Sequence, residues 1–241
     1  MSASNSAIKT SPTDVLIFNI KLLLGGTIHE LRNPVFAMGV TVDALEKRLG
    51  ETSEIKPYFA ALRHELDRIL QLAHELGDLI APINQCQVFS IKELIMKVIS
   101  DLNSLAQSKE VSVTTNIDEN LKPVFVDISR LQIALQRLIG LSIIRTPKGE
   151  EVKLKIVQHE DDHKSEIQID IKDNGPLLDP RAMRDVLLPF GIRRGGKLSL
   201  DVAIAYTTIL AHNGTMSAHN DKLKGLCFTV RLPNVVGDIA P

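Results

Sequence analysis

The chain has 241 residues, more than one typical domain, so one large or two modest domains are expected. Its 44% hydrophobic and 24% charged residues suit a soluble globular protein, and a net charge of −1 lacks the basic excess of a nucleic-acid or membrane-surface binder. Cys86 and Cys227 share no CxxC spacing, which argues against a disulfide framework or a zinc cluster and fits a reducing cytoplasm.

Residues 1–13 read as a flexible tail that opens on small and polar residues. The apolar run VLIFNIKLLLGG at 15–26 is interrupted by Asn19 and Lys21. It falls short of the roughly 20 apolar residues of a membrane span and lacks the flanks of a signal peptide, so a soluble cytoplasmic protein is expected. From Leu24 the apolar positions run Ile28, Leu31, Val35, Met38, Val42, Leu45 and Leu49, alternating four and three as in a coiled-coil seam. After a break at GETSEIKP, a second seam runs Phe59, Leu62, Leu66, Ile69, Ala73, Leu76 and Ile80, and Pro82 closes it. Two such helices form an antiparallel hairpin with more apolar face than it can bury alone. A second copy, giving a dimeric four-helix bundle, is the expected partner, and packing against the C-terminal half is the alternative.

Beyond Pro82 the texture changes. SIKE at 90–93 is a capping box opening a helix near 91–108, followed by β-rich VSVTTNI at 111–117. VFVD leads into a helix near 128–145, and EVKLKIVQHE and SEIQIDIKD alternate at period two as a hairpin over DDHK. Asp179 and Pro180 start a short helix; a helix near 199–212 and strands near 215–219 and 226–232 finish the chain. Helices interleaved with mostly antiparallel strands predict an α/β two-layer sandwich.

The stretch GGTIHELRNPVFAMGV at 25–40 places His29 one residue after the seam position Ile28, at the edge of the apolar stripe. A helical histidine can be a packing residue, a metal ligand or a nucleophile. Zinc would require HExxH, and the sequence reads HELRN.

HELRNP on the first helix, the second heptad helix, and an α/β region carrying KDNGP together resemble a bacterial sensor histidine kinase over residues 22–233. The resemblance implies a dimerisation and histidine-phosphotransfer domain at 14–84, then a catalytic domain of the histidine kinase/Hsp90-like ATPase type at 85–241. His29 would be the phosphorylated histidine, Glu30 the acid that takes up the imidazole proton, and Asn33 the residue orienting water in dephosphorylation. Pro34 bends the helix. Arg32, Phe36, Gly39 and Val40 would contact a docked receiver domain, with completion of the dimer core as the alternative for the apolar ones.

The same resemblance frays in the second half. Laid over the family's asparagine-rich box, VDISRLQIALQRLIGLSIIRTPKG places Arg137, Leu141 and Ile144 where asparagine, the magnesium-binding asparagine and lysine are expected. Leucine has no oxygen for magnesium. The Asp-x-Gly-x-Gly motif reads Asp173-Asn174-Gly175-Pro176-Leu177: Asp173 is left to accept from adenine and Gly175 is kept. Gly195 and Gly196 survive, later glycines become Leu198 or Ser199, and Asp201 would add unfavourable charge if it faced phosphates; Arg193, Arg194 and Lys197 could hold some of that charge. Asp173 and Gly175 thus mark a vestigial nucleotide site, which argues against ATP and Mg2+ as cofactors. The expected function is two-component signalling by a histidine phosphotransferase that moves phosphoryl groups through His29. Its expected partners are a response-regulator receiver domain, an upstream histidine kinase and a second copy of itself. A divergent ATP-dependent kinase and a non-catalytic scaffold are the alternatives.

Overall fold

The computed structural model describes residues 12–49, 55–161, 164–194 and 197–234. Residues 1–11 of the tail expected at 1–13, residues 162–163, and Gly195 and Gly196 lie outside the described residues, as do the side chains at 12–26, 29, 161, 164, 192–194 and 197–198; Pro12 and Thr13 already belong to the first helix. The chain divides into two compact units, Met1–Ala81 and Pro82–Pro241.

The first unit is a helical hairpin of α1 (Pro12–Leu49) and α2 (Lys56–Ile80). Pro34 lies inside α1, and α2 stops at Ala81, whose extended backbone is the conformation favoured before a proline. Each seam splits into two registers. Ile28, Val35 and Val42 are buried, whereas Leu31, Met38 and Leu45 remain 45%, 55% and 45% exposed. On α2, Phe59 and Ala73 are buried while Leu62 and Ile69 are exposed. Successive seam rows differ by about 60° around a helix of 3.6 residues per turn, so one antiparallel neighbour covers only one row. Arg63 of α2 reaches Asp43 at 2.9 Å and also Glu46 on α1, an exposed ion-pair cluster across the hairpin.

The second unit runs β1 (Cys86–Phe89), α3 (Ile91–Asp101), α4 (Asn103–Lys109), β2 (Ser112–Ile117), β3 (Val124–Asp127), α5 (Ile128–Arg145), β4 (Glu151–Asp161), β5 (Lys164–Lys172), α6 (Pro180–Asp185), β6 (Ile192–Arg194), β7 (Lys197–Ser199), α7 (Asp201–Ala211), β8 (Thr215–Asn220) and β9 (Leu226–Pro233). The main sheet has the order β2-β4-β5-β9-β8, with β2 parallel to β4 and the remaining pairs antiparallel. Period-two alternation explains its two faces: Val152, Leu154 and Ile156 are buried, while Lys153 and Lys155 between them are exposed. Leu131, Leu135, Leu138 and Ile139 of α5 complete the core, giving an α/β sandwich.

Local chemistry sets the helix starts. The side chains of Ser90, Asp127 and Asp179 accept backbone N–H groups of Glu93, of Arg130, and of both Arg181 and Ala182, respectively. The helix expected over 91–108 breaks at Leu102 into α3 and α4, and Glu110 then ends α4 in a left-handed conformation. The short strands β1, β6 and β7 have no matching expectation, because three- or four-residue runs show too little periodicity to be read. Strand β1 pairs with β3 apart from the main sheet. Helix α7 begins at Asp201 rather than 199 because Ser199 still pairs with Ile192.

Candidate functional site

Helix α1 carries the HELRNP segment. Glu30, Asn33 and Pro34 are exposed, and position 29 lies within the helix with its side chain outside those described. At 3.6 residues per turn, positions 29, 36 and 40 fall within about 40° of one another. Phe36 is 69% and Val40 54% exposed. With Gly39 they line an open groove whose other wall is Arg63, Asp67 and Leu70 of α2. A Cβ built on Gly39 would meet no atom within 4 Å, so this glycine leaves open space. Arg32 is half-buried and turns toward α2, where its Nη2 lies 3.7 Å from a Cβ built at Gly77. Met38 and Leu62 line a different, apolar groove with Pro34 and Thr41, roughly opposite Phe36 around α1.

In the second unit the positions aligned with the nucleotide motifs converge around α5. Leu141 is fully buried and Ile144 partly so. Arg137 Nη1 donates to Asp201 Oδ1 at 2.9 Å, and Ser199 Oγ donates to Asp201 Oδ2 at 2.8 Å. Asp201, expected as an unfavourable charge, is therefore neutralised by a cation from a neighbouring helix. Asp173 has no exposure: Oδ1 accepts the N–H groups of Gly175 and Leu226, each at 2.9 Å, and Oδ2 accepts Arg145 Nε at 2.7 Å. Arg145 Nη2 also donates to the Pro176 carbonyl at 2.6 Å. Gly175 sits where a Cβ would fall 2.6 Å from the Arg145 carbonyl oxygen, so no larger residue fits this turn. Asn174 Nδ2 donates to Glu150 Oε2, and Lys224 pairs with Glu150 Oε1, which fastens the turn further.

The sequence locates Asp173 and Gly175 but passes over Arg145, which follows Ile144 as one of many surface-type residues. Only the meeting of the C-terminus of α5 with the turn after β5 gives it a role. Among the described residues no group of three or more His, Cys, Asp or Glu side chains could hold a metal ion, and no helix is long and apolar enough to cross a membrane.

Helices packed on a five-stranded mixed sheet, with α5 against β4 and β5 and the 173–177 turn at the end of central β5, define an ATPase-type sandwich. Residues 126–236 match the family described as histidine kinase-, DNA gyrase B-, and HSP90-like ATPase. The chain is 23% identical over 212 residues to the sensor histidine kinase ZraS of Salmonella typhimurium, covering 88% of this chain and 45% of ZraS. It is 26% identical over 214 residues to sporulation kinase B of Bacillus subtilis, covering 88% of this chain and 49% of that kinase. Full-length ShkA in complex with AMPPNP has a similar fold, with a TM-score of 0.71 at 22% identity over 88% of this chain and 46% of ShkA. The histidine kinase ThkA in complex with the response regulator TrrA gives 0.62 at 20% identity, over 88% of this chain and 61% of that one. These likenesses support a bacterial sensor histidine kinase family, and the chain spans about half the length of the curated relatives it matches.

Proposed function

We propose that the chain is a two-component signalling protein, a dimeric histidine phosphotransferase that exchanges a phosphoryl group between His29 and an aspartate of a response-regulator receiver domain. Residues 14–84 would form the dimerisation and transfer domain, and 85–241 a catalytic domain that no longer supplies the phosphoryl group. The observation that carries this reading is an open groove of Phe36, Gly39 and Val40 on the His29 side of α1, in a chain with a buried leucine, Leu141, at the position the resemblance aligns with a magnesium-binding asparagine.

The chemistry is direct. A neutral imidazole nitrogen of His29 attacks the phosphorus of a phospho-aspartate; the P–N bond forms as the P–O bond breaks, and the aspartate carboxylate leaves. The remaining ring N–H becomes more acidic, and Glu30 accepts its proton. The reverse step returns the phosphoryl group to another receiver. Asn33, exposed one turn along α1, would orient water for dephosphorylation. Phe36 and Val40 supply apolar contacts, and Arg32 lies nearby as a cation. That ThkA has been solved with a response regulator supports this choice of partner.

The residues present do not fit a magnesium nucleotide: Leu141 and Ile144 bring hydrocarbon where oxygen and a cation are needed, and Asp173 and Asp201 are already bonded within the chain. No step above passes through ATP. The outward register of Leu31, Met38, Leu45, Leu62 and Ile69, which one hairpin leaves exposed, supports the dimer.

Incubation with a receiver phosphorylated on its aspartate should label the protein, and His29→Ala should abolish the label. Equal labelling of His29→Ala would refute the reading. The match to an ATPase family over 126–236 favours a second reading, a divergent ATP-dependent kinase. Radiolabelled ATP with magnesium would then label His29, whereas phosphotransfer from a receiver alone predicts none. A non-catalytic scaffold predicts receiver binding with no label from either donor.

A further inference from the structure

Two arginines of α5 each meet a buried aspartate from another segment, and both partners are at most 18% exposed in each pair. A buried carboxylate must replace its lost water with donors or a cation. Asp173 does so completely within the chain, through Gly175 and Leu226 on one oxygen and Arg145 on the other. Arg145 is 9% exposed and spends a second donor on Pro176, so its guanidinium is held from two sides. It binds the carboxylate of Asp173, the residue that the family resemblance leaves to accept from an adenine amino group. A neutral amine could displace it only by leaving the guanidinium desolvated and uncompensated.

We infer that Arg145 is a built-in occupant of the purine-recognition position, so that the C-terminal unit is liganded by its own chain. It excludes purines through an ion pair, beyond the loss of magnesium and phosphate ligands, and keeps its folded form without a nucleotide. The Arg137–Asp201 pair acts in parallel, tying α5 to the start of α7. This inference rests on the reading of an impaired ATP site and is independent of the chemistry of His29.

Adenosine is the probe, because it has no phosphates and bypasses the missing magnesium ligands. With the 241-residue chain, millimolar adenosine should leave the melting temperature unchanged. The NMR spectrum should contain an exchange-protected arginine Nε–H signal that disappears in Arg145→Lys. Arg145→Ala should melt at lower temperature, and adenosine should then raise that temperature, with affinity at least ~10-fold above wild type. Should Arg145→Ala fail to fold, Arg145→Lys keeps the charge and serves for the adenosine titration, where a first measurable response is expected. A wild-type melting temperature that rises with adenosine overturns the inference, as does a protected signal that is absent or persists in Arg145→Lys. So does an Arg145 variant that melts like wild type and ignores adenosine. Labelling from a phosphorylated receiver on the same samples separates the two readings: labelling with adenosine binding sinks only this inference, and exclusion of adenosine without labelling sinks only the phosphotransfer reading.

Discussion

At the scale of single residues, two buried groups make measurable claims. Among the described residues Ser142 Oγ, buried within α5, has no hydrogen-bond partner, although the Ser142 carbonyl accepts from Thr146. An unsatisfied buried hydroxyl costs about 1–3 kcal/mol, so Ser142→Ala should stabilise the protein by ~1 kcal/mol, read as a higher urea midpoint. His212 is buried at the end of α7, with Nδ1 bonded to the Thr208 carbonyl and Nε2 accepting the backbone N–H of Asp127. Burial pushes this imidazole below its ordinary 6.5, and the Arg130 charge works in the same direction, against the Thr208 bond and the Asp127 charge. A histidine held neutral in the folded state loses stability as pH falls through 6.5, because the unfolded chain then binds the proton more readily. Stability should drop by up to about 1.4 kcal/mol per pH unit below that value until the folded state also protonates, and His212→Gln should remove this slope. Asp127 acts in a separate window. Burial raises its carboxyl pKa, but the N–H groups of Arg130, Asn84 and Gln85 outweigh burial and hold it below 3.8, so its contribution is lost only in stronger acid.

Among elements, the hairpin separates two jobs by angle. One register of each seam closes α1 on α2, the second stays exposed as the surface proposed for a further helix pair, and the Phe36–Val40 face lies away from both. Replacing the outward Leu62 and Ile69 with glutamate should therefore weaken a dimer at least ~100-fold in sedimentation while leaving helix content intact, since burying two charges costs several kcal/mol. Phe36→Ala should lower kcat/KM for phosphotransfer by ~10–100-fold without moving the melting temperature, as expected of an exposed anchor at an interface. Gly39→Leu should do the same by filling the groove. Loss of receiver transfer together with unfolding in either variant would count against a docking role. Helix α5 shows the contrasting case: its largely buried Arg137 and Arg145 hold neighbouring segments, so substitutions there are expected to register as stability.

For the whole molecule, the expectation is a two-unit protein whose C-terminal half stabilises itself and whose N-terminal half performs the transfer. Millimolar ATP with magnesium, or EDTA, should leave the melting temperature of the full chain within about 1 °C. A rise of several degrees with ATP would restore the kinase reading. Much of the architecture could be read from local chemistry. Heptad spacing revealed both helices, the Ser90 capping box and Asp179-Pro180 marked helix starts, and period-two runs revealed β4 and β5, because each signal is written in neighbouring residues. The HELRNP segment, and a leucine at position 141 where the family resemblance expects an asparagine, were equally legible. The split of each seam into an inward and an outward row was not, since both rows are apolar and only the neighbouring helix distinguishes them. Nor were the partners of Asp173 and Asp201, which lie 28 and 64 residues from their arginines. A sequence determines which residues are apolar, charged or conformationally restricted; whether a buried charge is a repulsive defect or half of an ion pair is decided by folding, because the energy depends on what occupies the few ångströms around it.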